Sequence, residues 1–143
     1  MLGELSKDEI ESLLYHEPVG RIGCTNDGRV YVVPISFAYD GKAVYGHSRE
    51  GQKIAMMRAN PNVCFEVEHV DELNRWRSVI LWGQYEELDG EQANWAMALL
   101  NERLMPALDT HDTHGAVHAG RLHIEPVVYR ITVNEKSGRF ETP

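Results

Sequence analysis

A glycine, a histidine, a serine and a lysine crowd into "YGHSREGQKIAMM", residues 45–57. Gly46 and Gly51 have the spacing of a G-x-x-x-x-G-K-[ST] phosphate loop, but the lysine comes one residue late, at Lys53, and Ile54 replaces the magnesium-binding hydroxyl. The stretch reads instead as a strand ending in Gly-His-Ser that gives way to a helix near Gly51 or Gln52, with Ile54, Met56 and Met57 turned inward. A helix amino terminus exposes unpaired N–H groups and the positive end of its dipole, which suits an anion. Lys53 and Arg49 add charge and the Ser48 hydroxyl adds a donor, enough for one phosphate rather than three. The competing reading is an ordinary strand-to-helix turn, with Ser48 as its N-cap and two solvated cations.

Other residues that could do chemistry lack the companions they need. His114 and His118 have the i,i+4 spacing that puts two imidazoles on one helical face, with His111 and His123 nearby. No H-E-x-x-H accompanies them and Gly115 interrupts the pair, so no metal is assigned and "LDTHDTHGAVHAG", residues 108–120, reads as a polar surface loop. A Ser-His-Asp site fails for want of a G-x-S-x-G elbow, and adjacent His47 and Ser48 point to opposite strand faces. Cys24 and Cys64 have no C-x-x-C spacing and read as reduced core residues. Trp76, Trp82 and Trp95 read as core or interface residues rather than a base-stacking platform, and Glu86-Glu87-Leu88-Asp89 as a solvated run leading into a helix.

The elements that must position these residues fit one domain, 1–143, since 143 residues with 43% hydrophobic content suffice for a single core. A net charge of −8 opposes binding to a phosphate backbone, so nucleic acid is excluded as a partner. No apolar run of membrane-spanning length and no basic-then-apolar leader is present, so the expectation is no membrane association and a cytoplasmic location. "LSKDEI" is a capping box, with Ser6 and Glu9 as the reciprocal pair and Leu5 stapled onto Ile10; the first helix presents Ile10, Leu13 and Leu14. "GRIGCT" and "RVYVVPISFAY" flank Asn26-Asp27-Gly28, and "KAVYGH" follows Asp40-Gly41, both hairpin signals. Pro34 removes a ladder donor and marks its strand as an edge, a bulge or a place where something other than a strand lies alongside. "NVCFEVEH" alternates, "WRSVILWGQYEEL" is a longer strand with Gly83 as a bulge or bend, and "VVYRITV" closes the chain. Between them a helix starts at Asp89, runs to about Arg103 and stops before Pro106. Six strands joined by short hairpins, with few crossover helices, indicate a small antiparallel barrel.

Together, "RVYVVPISF", "KAVYGHSREGQK", "RANPNVCFEV" and "RSVILWGQYEEL" resemble the flavin-binding split-barrel family that includes pyridoxamine 5′-phosphate oxidase, and its short nitroimidazole-resistance-like members more closely. The resemblance covers residues 5–88 well and the carboxyl-terminal third loosely. It implies a mainly β fold, a six-stranded antiparallel split β-barrel with short flanking helices, working as a homodimer around FMN. Tyr31, Val32, Val33, Pro34, Ile35 and Ser36 would line the isoalloxazine ring, with main-chain groups near Val33 to Ile35 at its polar edge. Gly46, His47, Ser48, Gln52 and Lys53 would surround the phosphate; Ser78 of a second copy, with Trp76 nearby, would approach the cofactor. A proline is tolerable on a strand whose edge faces a ligand. The full-length oxidases carry a basic pair where this chain has Gln52-Lys53, and "SGRFETP" does not match their Arg-Leu-x-Pro tail. Arg121 to Ile124, "RLHI", echoes an Arg-x-His substrate motif only weakly, so vitamin B6 oxidation is not the first expectation.

What the resemblance implies is an FMN-dependent oxidoreductase that reduces nitro or quinone-type aromatics with electrons from a nicotinamide donor. A flavin carries the redox chemistry itself, so the chain needs only to bind, orient and leave a face open. His47 is the candidate catalytic titrating group, or a hydrogen-bonding partner of the cofactor alone. The alternatives are a flavin- or haem-binding protein without turnover, for storage, sensing or haem handling, and a dimerisation module with a degenerate site.

Overall fold

The hairpin chemistry in the sequence sets the sheet. The computed structural model describes residues 1–107 and 126–143. Asp27 and Gly28 both take positive φ, 51° and 78°, in the two-residue turn that joins β2 (Val19–Asn26) to β3 (Arg29–Ser36). Gly41, at φ 95°, turns β4 (Ala38–Tyr39) into β5 (Ala43–Ser48), and the Asp40 carboxylate accepts from the amides of Lys42 and Ala43, both at 2.9 Å. The remaining strands are β1 (Leu2–Glu4), β6 (Asn62–Glu72), β7 (Arg75–Leu88) and β8 (Val127–Glu141). They form one eight-stranded sheet, ordered β3-β2-β6-β7-β8-β5-β4, with β1 added to β8. The pairings are all antiparallel.

Each of the six expected strands is present, and two more appear. The run 29–39 breaks at Phe37, whose amide donates to the Pro18 carbonyl at 3.2 Å, so β4 separates from β3. β1 is a three-residue strand, too short to show alternation, and pairs with the last residues of β8. β8 continues eight residues past Val133, because β7 is long enough to offer partners as far as Glu141. Pro34 sits in β3, an edge strand, where its missing donor faces away from β2. Gly83 marks the register shift between β7 and β8, and a Cβ there would lie 2.2 Å from the Thr132 carbonyl oxygen.

Among the described residues, three α-helices close the fold. α1 (Lys7–His16) begins with the expected box: Ser6 Oγ accepts from the Glu9 amide at 3.2 Å, and Glu9 Oε1 from the Ser6 amide at 2.9 Å. Ile10, Leu13 and Leu14 of α1, with Ile54, Met56 and Met57 of α2 (Gln52–Ala59), are buried in the main core around Ile22, Phe65 and Leu81. Phe37 and Phe65 meet edge to face there, centroids 4.8 Å apart. A second, smaller core packs Ala96 and Leu100 of α3 (Gly90–Leu104) on Tyr45, Leu88 and Val128. Asp89 holds the N-cap position of α3 without a side-chain capping bond, and a 3-10 turn over Met105–Ala107 contains Pro106. No helix among the described residues is long and apolar enough to cross a membrane.

The opposite face of the sheet differs from expectation. Val32, Gly23, Cys64 and Trp82 stand in register across four strands, β3 to β2 to β6 to β7. Cys24 is buried as expected, but Cys64 lies half-buried on this outer face rather than in the core. Of the core-or-interface reading of the tryptophans, the core half does not hold: Trp82 and Trp95 are exposed, and Trp76 is half-buried with its indole N–H donating to Glu141 at 2.8 Å.

Candidate functional site

The site grows from the junction of β5 and α2. Gly46 is buried against the ring of Tyr129, its cross-strand neighbour, so closely that a Cβ would lie 2.6 Å from the Tyr129 hydroxyl. That hydroxyl is buried with no hydrogen-bond partner among the described residues, and burial pushes its pKa up, so it stays protonated. His47 and Ser48 leave the sheet on opposite faces, as alternation requires. Ser48 Oγ donates to the Arg49 carbonyl at 3.0 Å. The N-cap of α2 is Gly51, not Ser48, and no side chain caps the helix. A Cβ at Gly51 would meet nothing beyond its chain neighbours nearer than the Arg49 carbonyl oxygen at 4.0 Å, so there is open space beside the uncapped start of α2.

Two basic groups border that opening. Lys53 is half-buried, and burial lowers its pKa. His47 keeps solvent access at its edge, yet the packing around its ring lowers its pKa, with the Lys53 charge adding to the effect. Neutral imidazole beside an ammonium is an arrangement that an anion would reverse. The turn is pinned from behind by Arg58, whose guanidinium grips both Glu50 carboxylate oxygens, at 2.8 and 2.6 Å, and also donates to Glu87. Gln52 is exposed, its amide 3.9 Å from Met56 Sδ.

β3 approaches this end through Cys24. Cys24 pairs with Tyr31 across the β2–β3 ladder, and its thiol is raised by burial, then by Cys64, against the pull of Lys53. Of the six β3 positions, Tyr31, Val33 and Ile35 turn inward and Val32, Pro34 and Ser36 outward. The inward three pair with Cys24, Ile22 and Gly20 of β2, so the free edge of β3 is presented by the backbone of Val32, Pro34 and Ser36.

Ser78 and Trp76 are not brought to this place within one chain. Ser78 stands opposite Glu68 on β7, and its hydroxyl donates to Glu66 at 3.4 Å. Glu66 itself was not legible as a site residue. Its carboxyl is pushed up by burial and by Glu68, against the pull of Arg21 3.6 Å away, and one of its oxygens is buried with no hydrogen-bond partner among the described residues. The signal that could have found it is register, since Glu66 lies diagonal to Ser78 on the same face. Among the described residues no three His, Cys, Asp or Glu side chains are placed to hold a metal. His111, His114, His118, His123 and the "RLHI" stretch lie outside the described residues.

Comparison with known proteins settles the lineage. The profile of the pyridoxamine 5′-phosphate oxidase family matches residues 6–140. The chain belongs to that family. A FAD-binding protein of Mesorhizobium loti, known from its crystal structure, is 31% identical, covers 100% of this chain and 98% of its own, and superposes with a TM-score of 0.82. An uncharacterised protein of Rhizobium meliloti is 34% identical over 88 residues, 62% of this chain and 58% of that relative's length. A candidate 5-nitroimidazole antibiotic resistance protein of Bacteroides thetaiotaomicron shares the fold at 24% identity, with a TM-score of 0.77 over 98% of this chain and 87% of that one. The split-barrel architecture anticipated from the sequence is thus that of the family.

Proposed function

We propose that this chain is a flavin-dependent oxidoreductase that holds an FMN unit between two copies of itself. The observation that carries the reading is the uncapped start of α2, open to approach and bordered by Lys53 and His47. Free amides at the positive end of a helix, with the Lys53 ammonium and an imidazole able to gain charge, fit one phosphate. Ser48 would join by turning its hydroxyl away from the Arg49 carbonyl, and Gln52 lies one residue into the helix. The free edge of β3 from Val33 to Ile35 would meet the polar edge of the ring, where Pro34 removes a competing donor. Ser78 of the second copy, steadied by Glu66, would reach the ring from the facing sheet, with Trp76 beside it. The exposed apolar residues Val30, Val32, Ile80 and Trp82 supply the face on which the copies would meet.

The flavin supplies electron or hydride transfer, while the chain binds, orients and keeps one side open. A nicotinamide donor and a nitro- or quinone-type aromatic are the proposed partners in turnover, and the FAD-binding relative at 31% identity supports a flavin as the cofactor class. The test compares FMN with riboflavin, which lacks the phosphate. Lys53→Ala removes one charge-assisted hydrogen bond, so FMN affinity is expected to fall about ten- to hundredfold while riboflavin binding holds. Equal losses for both ligands would assign Lys53 to the ring or the fold, and no loss for either would return the turn to a plain strand-to-helix connection.

A further inference from the structure

The sheet face covered by α3 carries a groove that a mononucleotide leaves unused. Alternation puts Tyr45 and His47 on one face of β5. Their lateral neighbours on that face are Arg130 and Val128 of β8, then Glu86 and Leu88 of β7. α3 starts two residues after Leu88, so Tyr45, Leu88, Arg130, Glu91, Gln92 and Trp95 line a groove of about 250 Å³. That is below the roughly 300–1,000 Å³ of whole-ligand sites and suits a single heteroaromatic ring system.

The groove walls have the chemistry of such a ring. Trp95 is 52% exposed, yet it is fixed edge to face on Tyr45, centroids 5.2 Å apart and planes at 73°. The Tyr45 hydroxyl donates to Asp40 at 3.0 Å, which fixes that ring in turn. Arg130 donates from Nε and Nη2 to Glu86, both at 3.0 Å, and forms a rigid side wall. Gln92 and Glu91 offer amide and carboxylate groups to a base edge that displays both donors and acceptors. His47 follows Tyr45 by two residues, about 6.6 Å along the strand, a gap that a second phosphate and a ribose span.

We infer that the groove is the adenine subsite of FAD and that the chain prefers the dinucleotide to FMN. The inference rests on the flavin reading above, with the FMN half at α2, the second phosphate passing His47 and the adenine stacked on Trp95. Titration of riboflavin, FMN and FAD into the wild type, Trp95→Leu and Trp95→Phe tests it. The wild type is expected to bind FAD more tightly than FMN. Trp95→Leu, which keeps an apolar helix former without a π face, loses about five- to hundredfold in FAD affinity and nothing in FMN affinity. Trp95→Phe retains most of the FAD preference, and unchanged FMN binding in either variant reports an intact fold. Equal affinity for FAD and FMN in the wild type, or FAD binding insensitive to Trp95→Leu, overturns the adenine subsite and leaves the flavin reading standing. Failure of all three flavins to bind the wild type removes both.

Discussion

His47 and Lys53 are two basic side chains held where burial depresses proton binding to each in the absence of an anion. The pKa of His47 is lowered first by burial and then by Lys53, and that of Lys53 by burial. A phosphate beside them favours the charged forms, so the imidazole pKa is higher with ligand than without. Binding then takes up a proton, and affinity rises as pH falls through the bound-state pKa, levelling off below the free-state one. A phosphate monoester itself loses charge near about pH 6, which acts the other way. The ratio of wild-type to His47→Gln affinity for FMN removes that common part. The ratio is expected to grow between about pH 8 and about pH 6, the range in which imidazole titrates. A ratio that stays flat across this range would place His47 away from the phosphate.

At the scale of the element, the long β7–β8 ladder decides the shape that the site depends on. It carries one register shift, at Gly83, where β7 passes so close to β8 that only hydrogen fits. The obstacle is the Thr132 carbonyl, a backbone group that cannot swing aside as a side-chain tip can. Gly83→Ala should therefore cost about 3 kcal/mol or more, the upper end of overpacking, read as a lower urea midpoint at unchanged slope. A change of less than about 0.5 kcal/mol would mean that the bulge adapts freely. The β5–α2 turn is held differently, by side chains alone: Arg58 ties Glu50 to Glu87, linking the turn to the end of β7. All three residues are exposed, so this clamp orients the turn without adding much to stability.

At the scale of the molecule, one sheet has two different fates on its two faces. One face is filled by the main core; the other leaves Val30 70%, Val32 60% and Trp82 43% exposed, with Gly23 and Cys64 between the last two. Burying this patch against a second copy would also deliver Ser78 to a neighbour's cofactor. The chain is expected to sediment as a dimer at micromolar concentration, and Trp82→Asp, which puts a charge in the patch, should give a folded monomer with weakened FMN binding. A wild-type monomer that binds FMN tightly would overturn the shared site.

The sequence by itself determined the local events, because each is decided within a few residues. The capping box at Ser6 and Glu9, the positive-φ turns at Asp27-Gly28 and Gly41, the edge strand marked by Pro34 and the inward stripe of Ile54, Met56 and Met57 all follow from short-range sterics and periodicity. The family and the split barrel were legible for the same reason, since the quoted runs are consecutive. Tertiary structure alone decided what depends on partners distant in the chain. It separated Ser48 from the N-cap role, gave that position to Gly51, and placed Tyr129 beneath Gly46 and Glu66 beside Ser78. It also set Trp95 and Arg130 around Tyr45, although 35 residues separate Trp95 from Arg130 in number. These contacts are fixed by strand order and register, which arise from the packing of the whole sheet, and no local pattern encodes which strand will lie beside which.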